Sequence, residues 1–62
     1  MYYLVEAYGK TGLLAGARTT IGLEAAKMLR DVLRANPDFG EVSIFSTEVC
    51  GGLIDKKEKL YV

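Results

Sequence analysis

Hydrophobic and polar residues follow two different rhythms along this 62-residue chain. The run Tyr2–Tyr8 is rich in aromatic and branched residues, which favours a β-strand. The glycine-containing segment Gly9–Gly12 is typical of a turn. Leu13–Thr19 then predicts a second strand that forms a hairpin with the first, and Gly16 within it marks a candidate β-bulge.

The segment Ile21–Asn36 instead repeats its apolar residues at helical spacing, which predicts one amphipathic helix. Thr20 is the predicted N-cap, because its hydroxyl can accept a hydrogen bond from a free N–H of the first turn. Leu29 and Val32 lie near the middle of the apolar arc and are expected to face the sheet. Leu23 falls on the polar side of the helix. The apolar arc as a whole consists of Ile21, Ala25, Ala26, Met28, Leu29, Val32, Leu33 and Ala35.

The second half of the chain returns to residue patterns that favour strands. Asn36–Gly40 has the composition of a turn, and Glu41–Thr47 predicts a third strand. Gly51 and Gly52 form a second break. The fourth predicted strand is Leu53–Val62, interrupted by a run of five charged residues.

This order, β-β-α-β-β, predicts the α+β class, because the strands come in hairpins and do not alternate with helices. We expect one domain over residues 1–62, with a small antiparallel sheet and one helix packed on one face. No run of about 18 apolar residues predicts a membrane-spanning segment. The start of the chain has no basic region or small-residue cleavage site, so no signal peptide is expected.

A single helix can cover only one face of such a sheet. If Tyr3, Val5 and Ala7 face the helix together with Val42 and Ile44 of the third strand, alternation places Tyr2, Leu4, Glu6 and Tyr8 on the opposite face. That uncovered face is expected to carry an apolar patch formed by Tyr2, Leu4, Tyr8 and Phe45. Such a patch on a small protein indicates a binding partner, and a second copy of the chain is the first candidate. The alternative is that register or curvature buries these side chains within one chain.

The amino-acid composition disfavours several kinds of reactive site. The chain is 50% hydrophobic with zero net charge, no histidine and one cysteine, Cys50. An internal disulfide is impossible, and a zinc site within one chain or an activated thiolate is not expected. Cys50 is interpreted as a small apolar filler in a protein of the reducing cytoplasm. We expect no catalytic residue, metal ligand or cofactor, because no residues converge as a nucleophile with its base.

Five basic residues form the alternative candidate site. Lys27, Arg30 and Arg34 share one side of the predicted helix, and Lys56 and Lys57 lie in the charged run near the end. They favour a second hypothesis, a small nucleic-acid-binding module. A zero net charge disfavours it, since phosphate contacts normally need a basic surplus.

The architecture also resembles that of many small accessory proteins of bacteriophages and mobile elements. The resemblance spans Tyr2–Tyr8, the glycine turn, Ala15–Thr20, the amphipathic helix, Asn36–Phe39 and Val42–Ile44. It implies stoichiometric binding of a host protein, including inhibition of bacterial defence systems. The leading hypothesis is therefore a non-enzymatic protein-interaction module that self-associates through its sheet.

Overall fold

The computed structural model describes residues 2–50 and 52–62, apart from the side chains of Val49, Cys50 and Ile54. It confirms the predicted order of one helix and four strands. The elements are, in chain order, β1 (Tyr2–Gly9), β2 (Leu14–Ile21), α1 (Leu23–Arg34), β3 (Phe39–Cys50) and β4 (Leu53–Leu60).

The four strands form one open sheet in the order β2-β1-β3-β4, and every neighbouring pair is antiparallel. This confirms the α+β class. The β1–β2 hairpin closes where the Gly9 N–H donates to the Leu13 carbonyl at 2.8 Å. Gly12 in this turn has a φ of 88°, a backbone conformation that residues other than glycine rarely adopt. The bulge in β2 falls at Ala15, beside Gly16, because the pairing with β1 skips that residue.

The core lies between the helix and the two central strands. Val5 and Ala7 of β1, Val42 and Ile44 of β3 and Ala26 of the helix are its buried apolar residues. The predicted inward set of the two strands is therefore confirmed. Within the part of the chain whose side chains are described, only Ile44 and Val5 are large and fully buried, so this core is small even for a short chain.

The helix begins later than the sequence pattern predicts. Ile21 belongs to β2, and Gly22 at φ 89° is the N-cap, with no side-chain capping hydrogen bond. Thr20 as N-cap was therefore a wrong prediction, and its buried hydroxyl has no hydrogen-bond partner among the described residues. The physical reason is the glycine, since a positive φ turns the chain sharply from strand into helix. At the other end the helix stops at Arg34, two residues before the predicted Asn36.

The helix is also rotated about its axis relative to the predicted arc. Leu29 packs against the core as expected, but Val32 is 68% exposed and Met28 is 70% exposed. Leu23, which the pattern placed on the polar side, packs against the core as well. The fully buried Ala26 faces the sheet, because a small side chain lets the helix approach closely.

The last strand runs without a break through its charged residues, so the predicted interruption at Asp55–Lys59 was wrong. Charged side chains are readily accommodated there, because β4 is an edge strand with access to water. The pairing of β3 with β4 shifts between Ser46 and Thr47 and leaves Lys57 as the extra residue. This bulge changes which lysine faces which side of the sheet.

Two further predictions concern Cys50 and membrane-spanning segments. The interpretation of Cys50 as an apolar filler concerns a side chain outside the described part of the structure, as does the placement of Gly51. Within the described residues, no helix has the length and apolar character needed to cross a membrane.

Candidate interaction surface

Within the described residues, one face of the sheet has no helix over it, and we call it the open face. Residues that pair directly across neighbouring antiparallel strands lie on the same face. The register therefore assigns to the open face Tyr2, Leu4, Glu6 and Tyr8 of β1, Glu41, Ser43, Phe45 and Thr47 of β3, Leu14, Ala17, Thr19 and Ile21 of β2, and Lys56 and Lys59 of β4.

A buried carboxylate stands at the centre of this face. Glu6 is only 5% exposed, although no other element covers it. The Tyr8 hydroxyl donates to Glu6 Oε1 at 2.7 Å, and Lys56 Nζ lies 3.3 Å from both carboxylate oxygens. A buried carboxylate with a charged partner and hydrogen bonds is tolerated where an unpaired one would be strongly unfavourable. This group fixes the positions of an aromatic ring and a lysine.

The apolar residues of the open face are held by the same contacts. The Lys56 ammonium lies 4.9 Å from the centre of the Phe45 ring, a cation–π contact worth about 0.5–1 kcal/mol at exposed sites. Phe45 pairs directly with Leu4 across β3 and β1. The Thr47 hydroxyl donates to the Tyr2 carbonyl at 2.7 Å. The patch is therefore preorganised.

A second polar group lies toward the outer corner of the open face. Lys59 Nζ donates to Glu41 Oε1 at 3.3 Å and lies 5.5 Å from the ring centre of Tyr61. Ser43 also donates to Glu41 Oε1, at 3.4 Å. Both lysines that lie on this face are thus paired with a glutamate and stacked on an aromatic ring. The face carries no surplus of positive charge.

Three of the four predicted interaction residues, Leu4, Tyr8 and Phe45, are half-buried, and Tyr2 is 42% exposed. Two residues that the sequence pattern did not assign here extend the apolar area. Ile21 pairs with Tyr2 and is exposed, and Leu14 pairs with Tyr8 and is also exposed. The sequence pattern did not assign Ile21 to this face, because Ile21 also fits the apolar arc of the predicted helix. In the structure, Gly22 separates Ile21 from the helix.

The structure does not bring the five predicted basic residues together. Lys56 lies on the open face, whereas Lys27, Arg30 and Arg34 lie on the helix, on the opposite side of the sheet. Lys27 pairs with Glu24, and Arg30 pairs with Asp31.

Lys57 lies at the β4 edge, where its ammonium contacts Glu48 at 3.1 Å and Asp55 at 3.2 Å. Hydrogen bonds to these two carboxylates raise the pKa of Lys57. Within the described part of the chain, each of these basic residues except Arg34 has an acidic partner. Four of the five basic residues proposed to contact phosphate are therefore already paired with a carboxylate.

Sequence reasoning placed Glu6 on the open face but missed its role. Its partner Lys56 is 50 residues away along the chain. Without the bulge at Lys57, alternation would direct Lys56 to the helix side of the sheet. The one local signal was a lone acid among aromatic residues of a strand, since such an acid needs a partner.

Tyr8 gives a pH-dependent prediction. The hydrogen bond to Glu6 raises the pKa of the Tyr8 hydroxyl above its ordinary value of 10.0, with smaller contributions from burial and from the charges of Glu6 and Glu41. A pKa that is higher in the folded state stabilises the fold below about pH 10, and this stabilisation is lost as pH rises through the folded pKa. At neutral pH the hydroxyl therefore stays a hydrogen-bond donor.

We expect the phenolate absorbance of Tyr8, isolated as the difference between the parent chain and Tyr8→Phe, to appear above pH 10. Glu6→Gln should move this titration to lower pH, because the carboxylate that disfavours the phenolate is gone. An unchanged midpoint in Glu6→Gln would show that the hydrogen bond is not the cause.

Comparison of the chain with protein-family models, with curated proteins and with solved structures finds no match. Among the described residues, no cluster of three or more acidic, histidine or cysteine side chains is placed to hold a metal ion. The candidate function therefore rests on the open face itself.

Proposed function

We propose that this protein is a non-enzymatic interaction module that binds a partner protein stoichiometrically through the open face. The observation that carries the proposal is the apolar patch of Tyr2, Leu4, Tyr8 and Phe45 on a sheet face that no other element covers. Aromatic side chains held in place before binding lose little conformational freedom and dominate the energy of protein interfaces. Tyr8 and Phe45 are the proposed anchors.

The chemistry of the face favours a protein over a nucleic acid. Lys56 and Lys59 are each paired with a glutamate, so a phosphate would have to displace a carboxylate. A protein surface instead meets apolar side chains flanked by hydrogen-bonding groups, which matches the composition of interface centres. We place the protein in the cytoplasm, where Cys50 stays reduced.

The proposed partner is a bacterial host protein, as the resemblance to phage and mobile-element accessory proteins implies. The open face would cover a working surface of that protein and so inhibit it. Binding alone would suffice for this action, and no chemical step is needed.

The test uses the double variant Tyr8→Ala with Phe45→Ala. The intact chain first serves as bait in a bacterial lysate, and the captured protein is then purified for titration. We expect the double variant to bind it roughly 1000-fold more weakly, because truncating each anchor removes about 2 kcal/mol or more and every 1.4 kcal/mol is a factor of ten. Circular dichroism of the same samples checks that the fold survives.

Lys10→Ala with Leu53→Ala is the matched control, since both side chains are exposed and lie outside the open face. This control should bind like the parent chain. Equal binding by the Tyr8 and Phe45 variant would remove the open face as the site. Tight DNA or RNA binding that falls steeply with salt and with charge reversal at Arg30 and Arg34 would favour the nucleic-acid alternative.

A further inference from the structure

The two edges of the sheet differ in how well they resist pairing with another strand. An edge strand presents unpaired N–H and C=O groups, and lysines and bulges are usual protections. The β4 edge has both, with five consecutive charged residues at Asp55–Lys59 and a bulge at Lys57. The β2 edge is eight residues long and carries Arg18 as its one charge. Of the two edges, β2 is the one left open for pairing.

An uncovered groove lies beside this edge. It separates the helix from β2, has a volume of about 280 Å³, and is lined by core residues including Val5, Ala7, Leu29 and Leu33. No side chain from Gly16 fills it, and a Cβ there would meet no atom within 4 Å. Val5 and Ala7 at the floor of the groove are buried, whereas Leu29 and Leu33 along its side are only half-buried, so the apolar residues at the rim of the core are incompletely covered on the β2 side.

The helix adds an exposed apolar stripe on the same side. Ala25, Met28, Val32 and Ala35 recur at spacings of three and four residues, and all are exposed. Leu29 and Leu33 border the groove toward β2, whereas Arg30 and Arg34 border the opposite side of the helix. The helical positions next to Leu29 therefore place Ala25 and Val32 toward β2, and Met28 and Ala35 continue the stripe onto the helix surface farthest from the sheet.

We propose that a second copy of this chain pairs with β2. The two β2 strands run antiparallel about a two-fold axis, which joins two sheets into one of eight strands. Both helices lie on the same face of the joined sheet, with Ala25 and Val32 of each helix on the side toward the seam. A two-fold contact requires a surface that is complementary to itself, and a nearly uncharged strand edge beside an apolar stripe meets that requirement.

Charge selects the register of this pairing. A register centred on Arg18 would set the two arginines directly opposite each other, which is unfavourable. A register centred on Ala17 keeps the alternation of faces and places Arg18 opposite Gly16 of the second copy. Glycine leaves room there for the long side chain. We therefore assign Ala17 to the two-fold axis.

The size of the core indicates why the occupant is a second copy. Among the described side chains, Ile44 and Val5 are the only large ones that are fully buried. So small a core needs permanent cover, and another copy is always present when the chain is made. A standard interface takes about 800 Å² from each partner, roughly a fifth of the 4270 Å² surface of this chain. The β2 edge is about 26 Å long at 3.3 Å per residue, and the groove borders its middle at Gly16, Ala17 and Arg18.

This assembly is independent of the proposed function. It uses the β2 edge and the helix side of the sheet, and it leaves Tyr8 and Phe45 accessible on the other face. Failure of partner binding would not affect it, and a monomeric chain could still bind a partner through the open face.

Two measurements test the proposal. In sedimentation equilibrium over a dilution series, we expect a species of twice the 6.8 kDa chain mass, with dissociation shifted at least tenfold to higher concentration by Val32→Glu. In a Cys50→Ala background, Ala17→Cys should form a disulfide-linked dimer on mild oxidation. Glu58→Cys, at the protected β4 edge, is the matched control and should stay largely uncrosslinked.

A 6.8 kDa species at every concentration would overturn the proposal. So would equal crosslinking by Glu58→Cys, or a dimer that Tyr8→Ala with Phe45→Ala dissociates and Val32→Glu does not. Efficient crosslinking through Arg18→Cys in place of Ala17→Cys would overturn the assigned register. If Val32→Glu fails to fold, the crosslinking comparison still decides.

Discussion

Ile44→Ala is expected to unfold most of this protein at room temperature. Ile44 is 1% exposed and lies in a central strand, paired with Val5 on one side and Leu60 on the other. Truncating a buried isoleucine costs about 2–5 kcal/mol, because the transfer free energy is lost and a cavity remains. A single core in a chain of this size rarely supplies more than about 3–5 kcal/mol. The substitution therefore removes most of the stability.

Urea unfolding followed by circular dichroism measures this effect. Leu53→Ala serves as the control, because Leu53 is a side chain of the same size that is exposed at the start of β4. It should change the free energy of unfolding by less than about 0.5 kcal/mol. A loss below about 1 kcal/mol in Ile44→Ala would mean that the strand core is not where the stability resides.

Ala26→Leu is expected to produce the second-largest loss. Ala26 is fully buried between the helix and the sheet, and the close approach of the two depends on its small side chain. Adding three carbon atoms there forces the helix outward or the leucine into a strained rotamer, at about 1–3 kcal/mol. At concentrations where the chain is monomeric, the neighbouring substitution Ala25→Leu should be nearly neutral, because Ala25 is exposed in the single chain.

This comparison separates the effect of packing at each position from the effect of helix propensity. Leucine and alanine have similar helix propensities, so the intrinsic preference changes little and equally at both sites. The midpoint of thermal unfolding should fall in Ala26→Leu and stay nearly constant in Ala25→Leu. The opposite order would show that the helix is rotated by one position from the described packing.

The strands and their faces followed directly from the sequence. Alternation in Tyr2–Tyr8 assigned Tyr3, Val5 and Ala7 to the helix side and the residues between them to the open face, and the packing of the core confirms it. A period of two is short, so a few residues define which side each residue occupies. The turns were equally local, since glycine, asparagine and proline determine the backbone where they occur.

The rotation of the helix could not be predicted in the same way. Its apolar residues cover about half the circumference, and any of them could have faced the sheet. The choice of Ala26 over Val32 depends on how closely two surfaces can pack. That depends on the shape of the sheet beneath the helix, which the sequence of the helix does not contain.

In the candidate site, too, some features follow from the sequence and others only from the tertiary structure. The sequence by itself determined that Tyr2, Leu4 and Tyr8 share one side of their strand, because alternation is a property of each strand alone. It predicted that Phe45 joins them, and the pairing of Phe45 with Leu4 confirms this. Only the tertiary structure decided that Glu6 is buried among them with Lys56 as its partner. A one-residue bulge in β4 sets that contact, and a change of one residue in register reverses the face of every side chain beyond it.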